Sequence, residues 1–267
     1  MPDQSKQAGK PPVAPVAAAT ILLLRDSANG PEVFMVKRHH QVDFTAGALV
    51  FPGGKVAPGD SQAVVSDLTD GAADWPQEMR TLGAAAIREA FEESGILLAH
   101  EGQTGKFVSP QRLAALQHYR KGLDSHEIAL ADVLQKEGLR LACDQLVRFA
   151  HWITPEMMPK RFDTHFFIAP SPKGHVGHHD GHETVDSVWI TPDAAIADRK
   201  RWTVIFPTRL NLQKLAESPT VESAIATARA NPPVTVLPWT ESGPDGPVLH
   251  IREDAGYKQT TASLREG

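Results

Sequence analysis

Arg88-Glu89-Ala90-Phe91-Glu92-Glu93-Ser94-Gly95-Ile96 decides how this chain is read. Its three glutamates fall at i, i+3 and i+4, so on a helix they share one face. Ile87, Ala90 and Phe91 gather on the opposite side, leaving one face to bury and one densely negative. Like charges at this spacing raise one another's pKa and oppose folding unless something positive joins them. A hard divalent cation with oxygen ligands, Mg2+ or Mn2+, is the natural partner. The competing reading is a solvated Glu-rich helix. Against it stand the flanking Arg88, the helix-stopping Gly95 and the upstream turn Phe51-Pro52-Gly53-Gly54.

The segment from Arg88 to Ile96 resembles the second half of the Nudix box, G-x5-E-x7-R-E-U-x-E-E-x-G-U with U apolar. Gly54-Lys55-Val56-Ala57-Pro58-Gly59-Asp60 supplies the first half, with Asp where that family usually has Glu. Residues 61–87 then lie between Asp60 and Arg88 where the box has x7, so the box reads as split by an insertion. Together with Arg161-Phe162-Asp163-Thr164 downstream, the split box is similar to the branch containing mammalian Nudix 19-type coenzyme A diphosphatases. The resemblance covers roughly residues 15–205. It implies an α/β chain with the Nudix α/β/α sandwich, a mixed sheet, an inserted helical pair and a C-terminal extension.

Composition sets outer bounds. With 267 residues, 41% hydrophobic and 22% charged, the chain is that of an ordinary globular protein. A net charge of -5 and the lack of any basic run argue against a nucleic-acid partner. The single cysteine, Cys143, excludes an internal disulfide framework, fits a cytoplasmic setting and reads as a buried, inert thiol. No stretch approaches a membrane span, and Ala17 to Leu24 reads as a first strand rather than a signal peptide.

Along the chain, residues 1–14 read as a disordered leader, 15–205 as the catalytic domain and 206–267 as a helical extension packed on it. Thr20–Arg25 and Glu32–Arg38 predict a hairpin, and a helix from about Pro76 carries the carboxylates to Gly95. Ile96–Ala99 then predicts a strand. Insertions are expected at about 61–80 and 101–145. In the second, Ser109-Pro110 opens one helix and Asp124-Ser-His-Glu127 resembles a capping box for another. That pair is expected to act as a lid, a dimer element or both, so a homodimer is admitted. Leu146–Ile153, Phe162–Ala169 and Glu183–Ile190 predict further strands.

The resemblance also carries roles. The Gly53 carbonyl, Glu92 and Glu93 map onto metal ligands, and Glu89 onto a position that serves as ligand or as base for the attacking water. Arg88 beside it is expected to fix Glu89. Glu183, six residues before Trp189, matches a loop acid that meets the metals, with Asp186 as its competitor. Arg38, Gly54 and Arg161, with Lys160, are candidates for substrate phosphates. His175, His178, His179 and His182 raise zinc, but their irregular spacing and lack of cysteine favour substrate contact. The implied reaction is Mg2+- or Mn2+-dependent hydrolysis of a diphosphate in a small nucleotide-like substrate, coenzyme A or acyl-CoA leading. ADP-ribose, dinucleotides and nucleotide sugars are the alternatives. A ligand-binding regulator without turnover is the rival class, and an interaction module on the 101–145 helices a third.

Overall fold

In the computed structural model, residues 12–39 and 46–263 are described. Residues 1–11, most of the expected leader, lie outside them. Continuous apolar runs, Ile21–Leu24 and Val33–Val36, form a long hairpin of β1 (Val16–Ser27) and β2 (Gly30–Arg38), joined at Ser27–Gly30. β3 (Leu49–Val50) and β4 (Gly53–Lys55) follow, then α1 (Ala63–Asp67) and α2 (Gln77–Ser94). α2 begins after Pro76 and ends at Gly95, whose φ of 68° is the left-handed cap that glycine supplies cheaply.

β5 (Ala99–Glu101) pairs with β6 (Leu139–Leu141) around three short helices, α3 (Pro110–Leu116), α4 (Tyr119–Asp124) and α5 (Leu130–Glu137). Two expectations change here. The strand expected at Ile96–Ala99 starts only at Ala99, where pairing with Leu141 begins; Ile96, Leu97 and Leu98 are buried ahead of it. The inserted pair is a trio, because Asp124 ends a helix instead of capping one. His126 then turns the chain with φ of 57°, and α5 starts after Ala129 without a side-chain cap.

β7 (Val147–Ile153), β8 (Phe162–Pro170) and β9 (Thr184–Ile190) lead through α6 (Pro192–Ala197) to α7 (Phe206–Ala216) and α8 (Val221–Ala230). The remainder is not purely helical. β10 (Thr235–Val236) joins the main sheet, while β11 (Trp239–Gly243), β12 (Gly246–His250) and β13 (Thr261–Ser263) form a small antiparallel sheet.

Among the described residues the main sheet has eight strands, ordered β10-β7-β8-β1-β2-β3, with β4 also on β1 and β9 on β2. β1 runs parallel to β8 and β10 parallel to β7; the other pairs are antiparallel. The pleat of β1 sends Ile21 and Leu23 to a core shared with α2 and α3–α5. Leu22 and Leu24 point to a second core, under α7 and α8. The sheet is thus covered on both faces, the α/β/α layering expected.

Candidate active site

The carboxylate face of α2 meets the β3–β4 turn. Burying Leu82, Ala86, Ile87, Ala90 and Phe91 on one side fixes the helix's rotation and leaves Glu89, Glu92 and Glu93 on the side facing Gly53 and Gly54. The Gly53 N–H donates to Glu93 Oε2 at 2.9 Å. A Cβ on Gly54 would lie 2.6 Å from the Glu89 carboxyl atoms, and one on Gly53 2.6 Å from the Ala19 carbonyl. No larger residue fits this turn without moving the acids or β1.

Arg88 joins the two halves of the box. Its Nε and Nη2 grip Asp60 Oδ1 and Oδ2 at 2.8 and 2.9 Å, in the bidentate geometry a guanidinium prefers. Nη1 donates to Glu89 Oε1 at 2.9 Å and Glu92 Oε2 at 2.8 Å, and Nη2 also to the Lys55 carbonyl at 2.9 Å. Those bonds use all five donors a guanidinium carries. Burial works against the charge, but bonds to Asp60 and the negative charges of Glu89, Asp60 and Glu92 hold its pKa above the usual arginine value. Asp60, itself buried, also accepts from the Ala57 N–H.

One guanidinium does not balance this cluster. Burial pushes the Glu89 carboxyl up to about 7 and Glu92 to about 8, with Arg88 pulling both back and neighbouring acids adding to the rise. Burial, then the charge of Glu89, holds Glu93 well above the ordinary carboxylate range. Glu92 Oε1 is buried without a hydrogen-bond partner. Four acids against Arg88 leave an excess of hard oxygen donors and negative charge that only protons or a cation can offset. That donor set suits Mg2+ or Mn2+.

Arg88, Glu89, Glu92 and Glu93 line a cavity of about 830 Å3. Arg38, Gly53, Gly54, Arg88, Glu89, Glu92, Glu93 and Glu183 all border it. Glu183 is half exposed, its Oε2 3.8 Å from Arg38 Nη2, and Arg38 Nε is buried without a partner. Glu183 is held by Asp180, an acid that no sequence spacing marked. Asp180 Oδ1 accepts the Glu183 N–H at 2.8 Å, and Oδ2 bonds the Thr184 hydroxyl at 2.5 Å. Asp186 does not border the cavity; its Oδ1 accepts from the Ser187 N–H.

Three other expectations shift. Arg161 is not among the cavity residues: it is buried, with Nε on the Thr154 carbonyl and Nη1 on the Val13 carbonyl, tying the chain start to the β7–β8 turn. The histidine loop also stays out of the cavity. His175 Nε2 donates to the Val108 carbonyl, the His178 N–H to the Ser94 carbonyl, and His179 meets the Ser187 hydroxyl. The helical insertion instead sends Asp124 and His126 to the cavity edge, which no spacing announced. Arg120 from the same insertion donates to the Glu92 carbonyl at 3.1 and 3.0 Å and to the His178 carbonyl at 2.9 Å. A cation there caps the last turn of the carboxylate helix.

Much of the cavity's lining is apolar: Trp152, Met157, Met158, Phe162, Phe166 and Phe206, with Pro238 and Leu249 from the C-terminal stretch. Met157 and Met158 are 54% and 40% exposed, an unusual display of flexible apolar side chains beside a polar site. No helix among the described residues is long and apolar enough to cross a membrane. Cys143 is fully buried, its thiol pushed up to about 12, chiefly by burial.

Comparison with known proteins agrees with this geometry. The chain is 24% identical over 215 residues to the acyl-coenzyme A diphosphatase NUDT19 of Xenopus laevis, covering 66% of this chain and 57% of that one. It is 30% identical over 152 residues to the putative nudix hydrolase 7 of Caenorhabditis elegans, covering 57% and 43%. The chain thus spans about half the length of either relative. A NUDIX hydrolase crystal structure from Alicyclobacillus acidocaldarius superposes with a TM-score of 0.69 at 27% identity, over 82% of this chain and 99% of that one. Residues 64–209, more than half of the chain, match the family model of the NUDT19 Nudix domain. Fold, box and family model agree, and the chain belongs to the Nudix hydrolase family, in its NUDT19 group.

Proposed function

We propose that this protein hydrolyses the diphosphate linkage of coenzyme A or an acyl-CoA in the presence of Mg2+ or Mn2+. The observation that carries the proposal is the cavity's mixed lining, with Glu89, Glu92 and Glu93 together with a large apolar wall. A diphosphate ester with a long, largely uncharged arm has that polarity. Glu92, Glu93 and the Gly53 carbonyl are the groups that would hold the cation. When bound, it lowers the pKa of water and neutralises charge on the phosphoryl oxygens. Arg88 Nη1 holds Glu89 by Oε1, leaving Oε2 to take the proton of the attacking water. Arg38 at the rim offers a positive group to the phosphates. Water oxygen bonds to one phosphorus, the bridging P–O bond breaks, and two phosphomonoesters leave, 3',5'-ADP and a phosphopantetheine. A lone buried thiol and net charge of -5 support a cytoplasmic enzyme without a nucleic-acid partner.

The test is release of phosphomonoesters from coenzyme A, acyl-CoA, ADP-ribose, a dinucleotide and a nucleotide sugar, each with Mg2+ or Mn2+. The coenzyme A class is expected to give the highest kcat/KM. A clear lead for ADP-ribose or a dinucleotide would overturn the substrate while leaving the reaction.

The loop acids make a separate prediction. Glu183→Gln is expected to lower kcat by about 10- to 100-fold with little change in KM, as for an interaction realised mainly in the transition state. Asp186→Asn, off the cavity, is expected to stay near wild type. The reverse pattern in steady-state kinetics would show that Asp186 is the working acid.

A further inference from the structure

His151, Asp163 and His165 form a second constellation, separate from the carboxylates. The pleat of β8 turns Phe162, Thr164 and Phe166 into the cavity wall and Asp163 and His165 to the other face of the sheet. The register of β7 on β8 places His151 directly across from His165. Their rings stack with centroids 3.8 Å apart and planes 19° from parallel. Asp163 Oδ1 lies 2.5 Å from His151 Nε2 and 3.9 Å from His165 Nε2. Ligand-type atoms of the three residues all fall within 4.8 Å of one another.

Two further observations point to a cation. His151 Nδ1 is 2.8 Å from Thr235 Oγ1 on the neighbouring β10. The tautomer that donates Nδ1–H to that hydroxyl leaves the Nε2 lone pair beside Asp163 Oδ1 for a cation to take. An outer hydrogen bond of this kind is also what fixes the ring of a metal-binding histidine. The second is size. Zn2+ bonds of about 2.0–2.2 Å in a tetrahedron set ligand atoms roughly 3.3 Å apart, so a shift of about 0.6–0.8 Å in each of the 2.5 and 3.9 Å contacts would seat the ion. Asp163 is 35% exposed and gives an ion a way in.

We propose that His151 Nε2, His165 Nε2 and Asp163 Oδ1 bind a transition-metal ion of the Zn2+ class, with the remaining position open to water. Two imidazoles and one carboxylate favour Zn2+ or Co2+ over the hard Mg2+ suited to the glutamates. The ion joins β7 to β8 and, through Thr235, orients against β10, so it braces the edge where the C-terminal stretch enters the sheet.

The experiment is equilibrium dialysis of the metal-stripped full chain against Zn2+ under millimolar Mg2+, with Co2+ absorption as the geometric readout. One Zn2+ per chain and an intense visible Co2+ band of low coordination number are expected. Both are expected to vanish in His151→Gln/His165→Gln and to persist in Glu92→Gln/Glu93→Gln. Thr235→Val is expected to weaken Zn2+ about 10- to 100-fold. Absence of Zn2+ from the wild type, or loss in the glutamate variant with retention in the histidine one, overturns the site. Should the histidine double variant not fold, Asp163→Asn alters a partly exposed side chain instead: lost Zn2+ supports the site, and unchanged Zn2+ overturns it.

Discussion

Glu92→Gln/Glu93→Gln protein is expected to lose about a thousandfold or more in kcat/KM on every substrate the wild type cleaves. Charge stabilisation by a catalytic cation is worth several kcal/mol, and each 1.36 kcal/mol is about one decade in rate. Glutamine keeps the acceptor for the Gly53 N–H, so the turn beside α2 should stay in place. At about pH 9 without added cation the variant should melt higher than the wild type, because it lacks buried carboxyls that lose their protons there. Wild-type rates in this variant would sink the assignment of α2 as the catalytic helix.

The same burial gives the cation-free enzyme a pH signature. Glu92 has its carboxyl at about 8 in the fold against an ordinary 4.5. The folded form then binds a proton that the unfolded chain has released, and stability falls as pH rises between those values. It is fully present below about 4.5 and lost through about 8. Thermal midpoints in chelator are thus expected to drop by several degrees from pH 5 to 9, on the scale of about 2–4 °C per kcal/mol. Mg2+ should flatten the slope, since it competes with those protons. A flat profile in chelator would show that these acids are not held protonated.

Arg88→Met is expected to be the most destabilising single change in the site. It leaves Asp60, Glu89 and Glu92 facing one another in a buried pocket without their shared partner. Removing one side of a buried ion pair costs about 3–5 kcal/mol, which should lower the melting temperature by about 10 °C. Activity should fall as well, since Glu89 loses the bond that orients it. Lowering the pH should restore part of the stability by protonating the stranded acids. A melting temperature within about 2 °C of wild type would mean the guanidinium is dispensable to the fold.

What the sequence disclosed was whatever depends on local period. The i, i+3, i+4 glutamates, the Gly95 stop and the β-rich runs are local signals, and the structure has each of those elements. Contacts between distant segments were harder. Arg88 pairs in sequence with its neighbour Glu89, whereas its bidentate partner is Asp60 on the far side of the insertion. Arg161 resembles a phosphate ligand because a basic residue at a strand start usually meets solvent; here carbonyls at Thr154 and Val13 claim it. The Asp124–Glu127 capping pattern failed because the chain turns left-handed at His126, which sequence spacing does not reveal. Asp163 and His165 are visibly i, i+2, but His151 joins them only through the β7–β8 register.

Glu89, Glu92 and Glu93 reach the cavity from α2, while Met157 and Met158 of the β7–β8 turn, Phe206 at the start of α7, Pro238 and Leu249 supply part of its apolar lining. The family match, residues 64–209, reaches the glutamates and stops short of Pro238 and Leu249. The stretch that the family model matches thus holds the glutamates together with Met157, Met158 and Phe206, and leaves Pro238 and Leu249 outside it. Under the proposed function, exchange of Pro238 or Leu249 would reshape the wall that meets the tail while leaving the glutamates untouched.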